Sequence, residues 1–218
     1  GTARANAMAM IVPSVTPYSA DPHVFREQIE RVSFAPRIQI DLMDGEFAPN
    51  KNTNPIQVWW PEGVVADIHL MYRHPAEHLE TLISLRPHLI ILHAEAEGDI
   101  AAMVQHIQRF SIKAGVALLA DTTVESARDC IAIADHVMLF GGKLGHFGGK
   151  ADLTLLDKVS AIREVRSDSE IGWDGGANQA TVATIAAAGI DVINVGSAIQ
   201  RSDNPQQAYE ALEGVLRQ

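Results

Sequence analysis

Short runs of Val, Ile and Leu alternate along the chain with segments whose apolar residues fall three and four apart. This change of period predicts repeated strand-helix units. The strand runs are Met10 to Val15, Arg37 to Asp41, Val64 to Leu70, His88 to His93, Lys113 to Leu118, His136 to Phe140, Glu170 to Asp174 and Val192 to Gly196. Between them, Phe25, Ile29 and Val32 mark the first helix, and Leu155, Val159 and Ile162 the sixth. The helix after the fourth strand shows the pattern best: Ile100, Met103, Val104, Ile107 and Phe110 share one face, with Gln105, Gln108 and Arg109 off it. Only the stretch between Pro55 and Pro61 predicts a poorly defined helix. No linker, charge block or low-complexity segment interrupts the series, so residues 8–218 read as one domain. Gly1 to Ala7 read as an expression remnant ahead of Met8 or Met10.

Eight parallel strands also suit an open doubly wound sheet, and periodicity alone does not decide between the two. Polar placement favours the barrel. Asp41, His69, His93, Asp174 and the Gly196-Ser197 pair fall at the C-terminal ends of their strands, where a barrel gathers functional groups at one mouth. The expected fold is therefore α/β, a single (β/α)8 TIM barrel. Within IQIDLMDGEFAPN, Ile38 to Asn50, the two-residue period sets Gln39 and Asp41 on one face and Ile38 and Ile40 on the other. The same alternation turns Trp173 away from the mouth, towards the helices. Asp44, inside MDG, reads as a turn residue.

Composition narrows the function classes. With 218 residues the chain is just long enough for eight units, and its formal net charge of −10 excludes nucleic-acid and anionic-membrane partners, which need a concentrated basic face. No apolar run of about eighteen residues could span a bilayer. The one cysteine, Cys130, has no internal disulfide partner, and no basic-then-apolar leader is visible, so a reducing cytoplasm is the expected compartment.

The strand-end motifs resemble those of the ribulose-phosphate 3-epimerase family. That family carries His-x-Asp-x-Met-Asp-Gly, His-Leu-Met, His-Ala-Glu and Asp-Gly-Gly segments in this order. The chain shows QIDLMDG, HLM, HAE from His93 to Glu95, and DGG from Asp174 to Gly176. IVPS, Ile11 to Ser14, and NVGSAI, Asn194 to Ile199, extend the resemblance towards both ends. It implies inversion at C3 of a ketose phosphate, most directly ribulose 5-phosphate to xylulose 5-phosphate in the pentose phosphate pathway, with Asp41 and Asp174 as the two acid-base groups. It further implies a divalent metal (Zn, Fe, Mn or Co) held by Asp41, His69 and Asp174, with Gln39 as a fourth candidate ligand, that stabilises an enediolate as a Lewis acid. Ser14, Met43, Met71, Phe147, Gly148, Gly149, Gly175, Gly176, Gly196 and Ser197 are the implied substrate contacts; backbone N–H groups in the glycine-rich turns would cradle phosphate despite the acidic net charge. The family often forms homo-oligomers.

Two departures leave alternatives open. The family's histidine two residues before the first aspartate is Gln39 here, a poorer partner for zinc than imidazole. The family's sixth loop, Met-Thr-Val-Asn-Pro-Gly-Phe-Gly-Gly-Gln, reads GGKLGHFGGK, Gly141 to Lys150, so Gly141 replaces a methionine and Lys143, His146 and Lys150 add polar groups. A non-catalytic sugar-phosphate binder that has lost the full metal site, or an epimerase for a hexulose phosphate, would fit the same changes. His93 and Glu95 read equally well as support for the site or as a polar plug in the barrel mouth.

Overall fold

The computed structural model describes residues 8–146 and 148–218; the segment 1–7, read as an expression remnant, and Phe147, read as a substrate contact, lie outside the described residues. Eight parallel strands, β1 (Met10–Val15), β2 (Arg37–Met43), β3 (Val65–Met71), β4 (Leu89–His93), β5 (Lys113–Leu118), β6 (His136–Phe140), β7 (Glu170–Asp174) and β8 (Val192–Val195), pair in sequence order. The register of β8 on β1, Met10 to Pro13 against Val192 to Val195, closes the barrel. The chain is a single (β/α)8 TIM barrel.

Alternation along each strand divides the core in two. Ile38, Ile40 and Leu42 of β2 and Ala66, Ile68 and Leu70 of β3 face the layer shared with the helices. A separate inner cluster fills the barrel with Met43, Met71, Leu89, Ile91, Met138 and Phe140. The helices close the outer layer. In α1 (Pro22–Val32), the Asp21 carboxylate accepts a hydrogen bond from the His23 N–H at 2.9 Å and caps the first turn, while Phe25, Ile29 and Val32 are buried as their spacing predicts. In α2 (Ile100–Gln108), Asp99 caps through the Ala102 N–H at 3.0 Å.

Two expectations are corrected. Helix α2 stops at Gln108, and the left-handed Ser111 (φ 60°) turns the chain so that Phe110 is 39% exposed instead of joining the buried face. The stretch from Pro55 to Pro61 holds only the 3-10 turn Pro55–Gln57, capped by Asn54, because prolines at both ends leave no room for a regular helix.

At the N-terminal end of the barrel, opposite the mouth, charged side chains point inward. Arg37 of β2 donates to Asp67 of β3 at 2.7 Å and to both oxygens of Glu170 of β7, and Glu170 meets His136 of β6 at 2.7 Å. Strands β2 and β7 are not neighbours in the barrel, since β8 and β1 stand between them, so this network crosses the interior. Gly172 makes room for it: a Cβ there would lie 2.5 Å from His136 Nε2.

Candidate active site

The ends of β2, β3 and β7 bring three sequence-predicted groups together. Asp41 stands level with His69 in the β2-β3 register, and Asp174 ends β7 beside Asn194 of β8. One ligand atom from each of Asp41, His69 and Asp174 lies within 4.8 Å of the others, a spacing a metal ion could span. His69 Nδ1 is 3.2 Å from Asp41 Oδ1 and 3.5 Å from Asp174 Oδ2. Gln39, almost fully buried beneath them, turns its amide nitrogen upward and donates to Asp41 Oδ1 at 2.9 Å and Asp174 Oδ2 at 2.8 Å. In this orientation it bridges the carboxylates as a donor. A half-turn of the amide would offer its oxygen instead.

Local structure fixes Asp41 from several sides. Its Oδ2 accepts from the Thr16 hydroxyl at 2.6 Å, and Thr16 is held in turn by Gln28 of α1 through two backbone bonds. Buried Asn52 spans the end of β2, donating to the Asp41 carbonyl at 2.9 Å and accepting from the Met43 N–H at 2.8 Å. Asp44 serves the following turn as expected, accepting from the N–H groups of Glu46, Phe47 and Arg73. Thr16, Gln28 and Asn52 lie outside any motif, and nothing in the residue pattern marks them.

Electrostatics follow from crowding. Burial opposes a charge on His69, but the Asp174 and Asp41 carboxylates outweigh it and push the imidazole up to about 9. Burial and the Asp41 charge raise Asp174. His93, buried behind His69, is driven down to about 4, chiefly by desolvation. Burial opposes ionisation of Glu95, yet hydrogen bonds from His93, Thr122 and the Leu119 N–H hold its carboxyl below the usual range. Two carboxylates and one imidazole nitrogen converging at the barrel mouth form a hard-to-borderline donor set that suits a divalent cation, and the repulsion that contributes to raising Asp174 is what such an ion relieves.

Above this group opens a cavity of about 660 Å³. Ser14, Met43, Met71, Gly148, Gly149, Gly175, Gly176, Gly196 and Ser197, all expected to contact substrate, line it together with Asp41 and Asp174. Gln39 and His69 sit below its floor. Three lining side chains keep a buried polar atom without a partner among the described residues: Ser14 Oγ, Asn194 Oδ1 and Gln200 Oε1. Such atoms suit a polar ligand. Arg201 also lines the cavity, beside Ser197 and Gly148, as do Lys143, His146 and Lys150 of the sixth loop.

Trp173 is fully buried towards the helix layer, as alternation requires, and its indole N–H donates to the Gly175 carbonyl at 3.0 Å. The indole explains Gly141: a Cβ at that position would lie 2.5 Å from Trp173 Cζ2.

Residues 10–200 match the family model described as the Ribulose-phosphate 3 epimerase family. The chain belongs to that family. It is therefore an isomerase. A ribulose-phosphate 3-epimerase of Helicobacter pylori is 31% identical over 213 residues, covering 94% of this chain and 97% of the relative. One of Bacillus subtilis is 28% identical over 217 residues, covering 95% and 99%. Among solved structures, Mycobacterium tuberculosis tryptophan synthase superposes with a TM-score of 0.69 at 14% identity, covering 98% of this chain and 94% of that one; this likeness concerns the fold alone. No helix among the described residues is long and apolar enough to cross a membrane.

Proposed function

We propose that this epimerase inverts C3 of a ketose phosphate, interconverting ribulose 5-phosphate and xylulose 5-phosphate. The observation that carries the reading is the pair of carboxylates from different strands, Asp41 and Asp174, meeting on the floor of one cavity. The C3 proton is acidified by the neighbouring C2 carbonyl. One carboxylate removes it, and the other, protonated, returns a proton to the opposite face, so that the two exchange protonation states over a turnover. The Thr16 hydroxyl and His69 orient Asp41 for this, and Gln39 and His69 orient Asp174. A divalent metal held by Asp41, His69 and Asp174 would supply a Lewis acid for the charge developing on the C2 and C3 oxygens.

The phosphate would lie at the glycine-rich end of the cavity, where Gly148, Gly149, Gly176, Gly196 and Ser197 line the wall. Arg201 and Lys150 add positive charge there in a protein of net charge −10. Met43, Met71 and Phe140 supply apolar walls that limit water near the reacting carbon.

The test is conversion of ribulose 5-phosphate by protein loaded in turn with Zn, Fe, Mn and Co. Turnover is expected, with Asp41→Asn and Asp174→Asn each lowering kcat by about 10²–10⁴. Exchange of the C3 hydrogen with solvent deuterium should accompany it. The bridging orientation of Gln39 favours a second reading, a sugar-phosphate binder without catalysis. Tight binding of pentulose or hexulose phosphates with no deuterium at C3 would establish that alternative.

A further inference from the structure

Behind His69, on the side away from the cavity, its Nε2 lies 2.7 Å from Nε2 of His93. Both rings are fully buried, His93 against Phe47 at a centroid distance of 4.8 Å, and Phe140 borders both. Two ring nitrogens this close share one hydrogen, and its owner is decided further out. Glu95 Oε1 lies 3.0 Å from His93 Nδ1, and Glu95 Oε2 accepts from the backbone N–H of Leu119 at 2.9 Å. A backbone amide cannot reverse its role. The carboxylate it anchors is an acceptor at both oxygens, so His93 carries its hydrogen on Nδ1. Neutral His93 then offers a lone pair at Nε2, and His69 must donate from Nε2. The remaining nitrogen of His69, Nδ1, is the one that faces Asp41 and Asp174.

We propose that Glu95 and His93 form a positioning relay that fixes the ring orientation and tautomer of His69, leaving its Nδ1 lone pair for a divalent cation between Asp41 and Asp174. The relay rests on the metal reading given above and adds two residues to it, neither of which touches the cavity. Its polarity runs one way, from a main-chain amide in the loop after β5 to the candidate ligand on β3.

Glu95→Gln inverts that polarity. The Leu119 N–H obliges the new amide to turn its oxygen towards it, so the amide NH2 faces His93 Nδ1. His93 then carries its hydrogen on Nε2 and donates to His69, whose own hydrogen moves to Nδ1, facing the metal position. Competition with a chromophoric chelator should show zinc bound about 10–100-fold more weakly than by the wild type. Affinity unchanged within about twofold would overturn the relay. A measurement on the unaltered chain guards against a variant that fails to fold: long-range 1H–15N correlation of the buried histidines should show His93 protonated at Nδ1 and unprotonated at Nε2. A hydrogen on His93 Nε2 refutes the proposal even if the protein epimerises. If the wild type shows no epimerase activity with any sugar phosphate, the functional reading falls while the His93 tautomer still decides the relay.

Discussion

At the residue scale, His69 links the fold to the candidate chemistry. Without a cation its imidazole is held up to about 9 by Asp174 and Asp41 against the cost of burial, whereas an unfolded histidine titrates near ~6.5. The folded state therefore binds the proton more tightly. The resulting stability is fully present below about 6.5 and is lost as pH rises through about 9. Thermal melts of protein stripped with chelator should show a midpoint falling across that interval. His69→Gln should flatten the fall, and a divalent metal replacing the Nδ1 proton should remove it as well. A midpoint equally steep in the stripped wild type and in the variant would contradict this account. Asp41, His69 and Asp174 were legible in the sequence because strand ends and motif order expose them. Thr16 and Asn52, which hold Asp41 in place, were not: their roles depend on where the chain returns after β1 and β2, which no local pattern encodes.

At the element scale, all eight strands were legible, since buried strands read as runs of apolar residues and each lies within a residue or two of its expected bounds. Loops were not. Gly175 (φ 131°) and Gly176 (φ 67°) read as parts of a phosphate cradle, but packing constrains them too. A Cβ on Gly175 would lie 2.5 Å from the Gly141 carbonyl carbon, and one on Gly176 2.5 Å from the Gly149 carbonyl oxygen. The turn after β7 thus presses backbone on backbone against the loop after β6. Gly141, which stands where the family carries a methionine, belongs to the same contact through the Trp173 indole. Gly141→Ala is expected to cost about 1–3 kcal/mol by overpacking. Gly149→Ala, with open space at its Cβ, should cost little by the same urea denaturation measurement.

At the scale of the whole molecule, the two ends of the barrel have different chemistry. The C-terminal end gathers the carboxylates, His69 and the cavity; the N-terminal end holds Arg37, Asp67, His136 and the half-buried Glu170 in one network. The sequence placed Arg37, His136 and Glu170 only as strand starts, because residues 133 positions apart show no relation until the barrel brings them together. Arg37→Met would leave Asp67, 1% exposed, without its cation, and should cost on the order of 3 kcal/mol by equilibrium denaturation.

That network has a kinetic consequence. Arg37 and Glu170 meet across the interior, so their contact cannot form until β1 and β8 have paired and the sheet is circular. The contact should be absent from the folding transition state, where only part of the sheet exists. The share of the Arg37→Met loss that comes from Glu170 should then fall on the unfolding limb of a chevron plot, whereas the share from Asp67, on the neighbouring strand β3, should slow refolding as well. The Arg37–Glu170 contact acts as a latch: it sets how long a closed barrel stays closed, not how quickly the barrel closes.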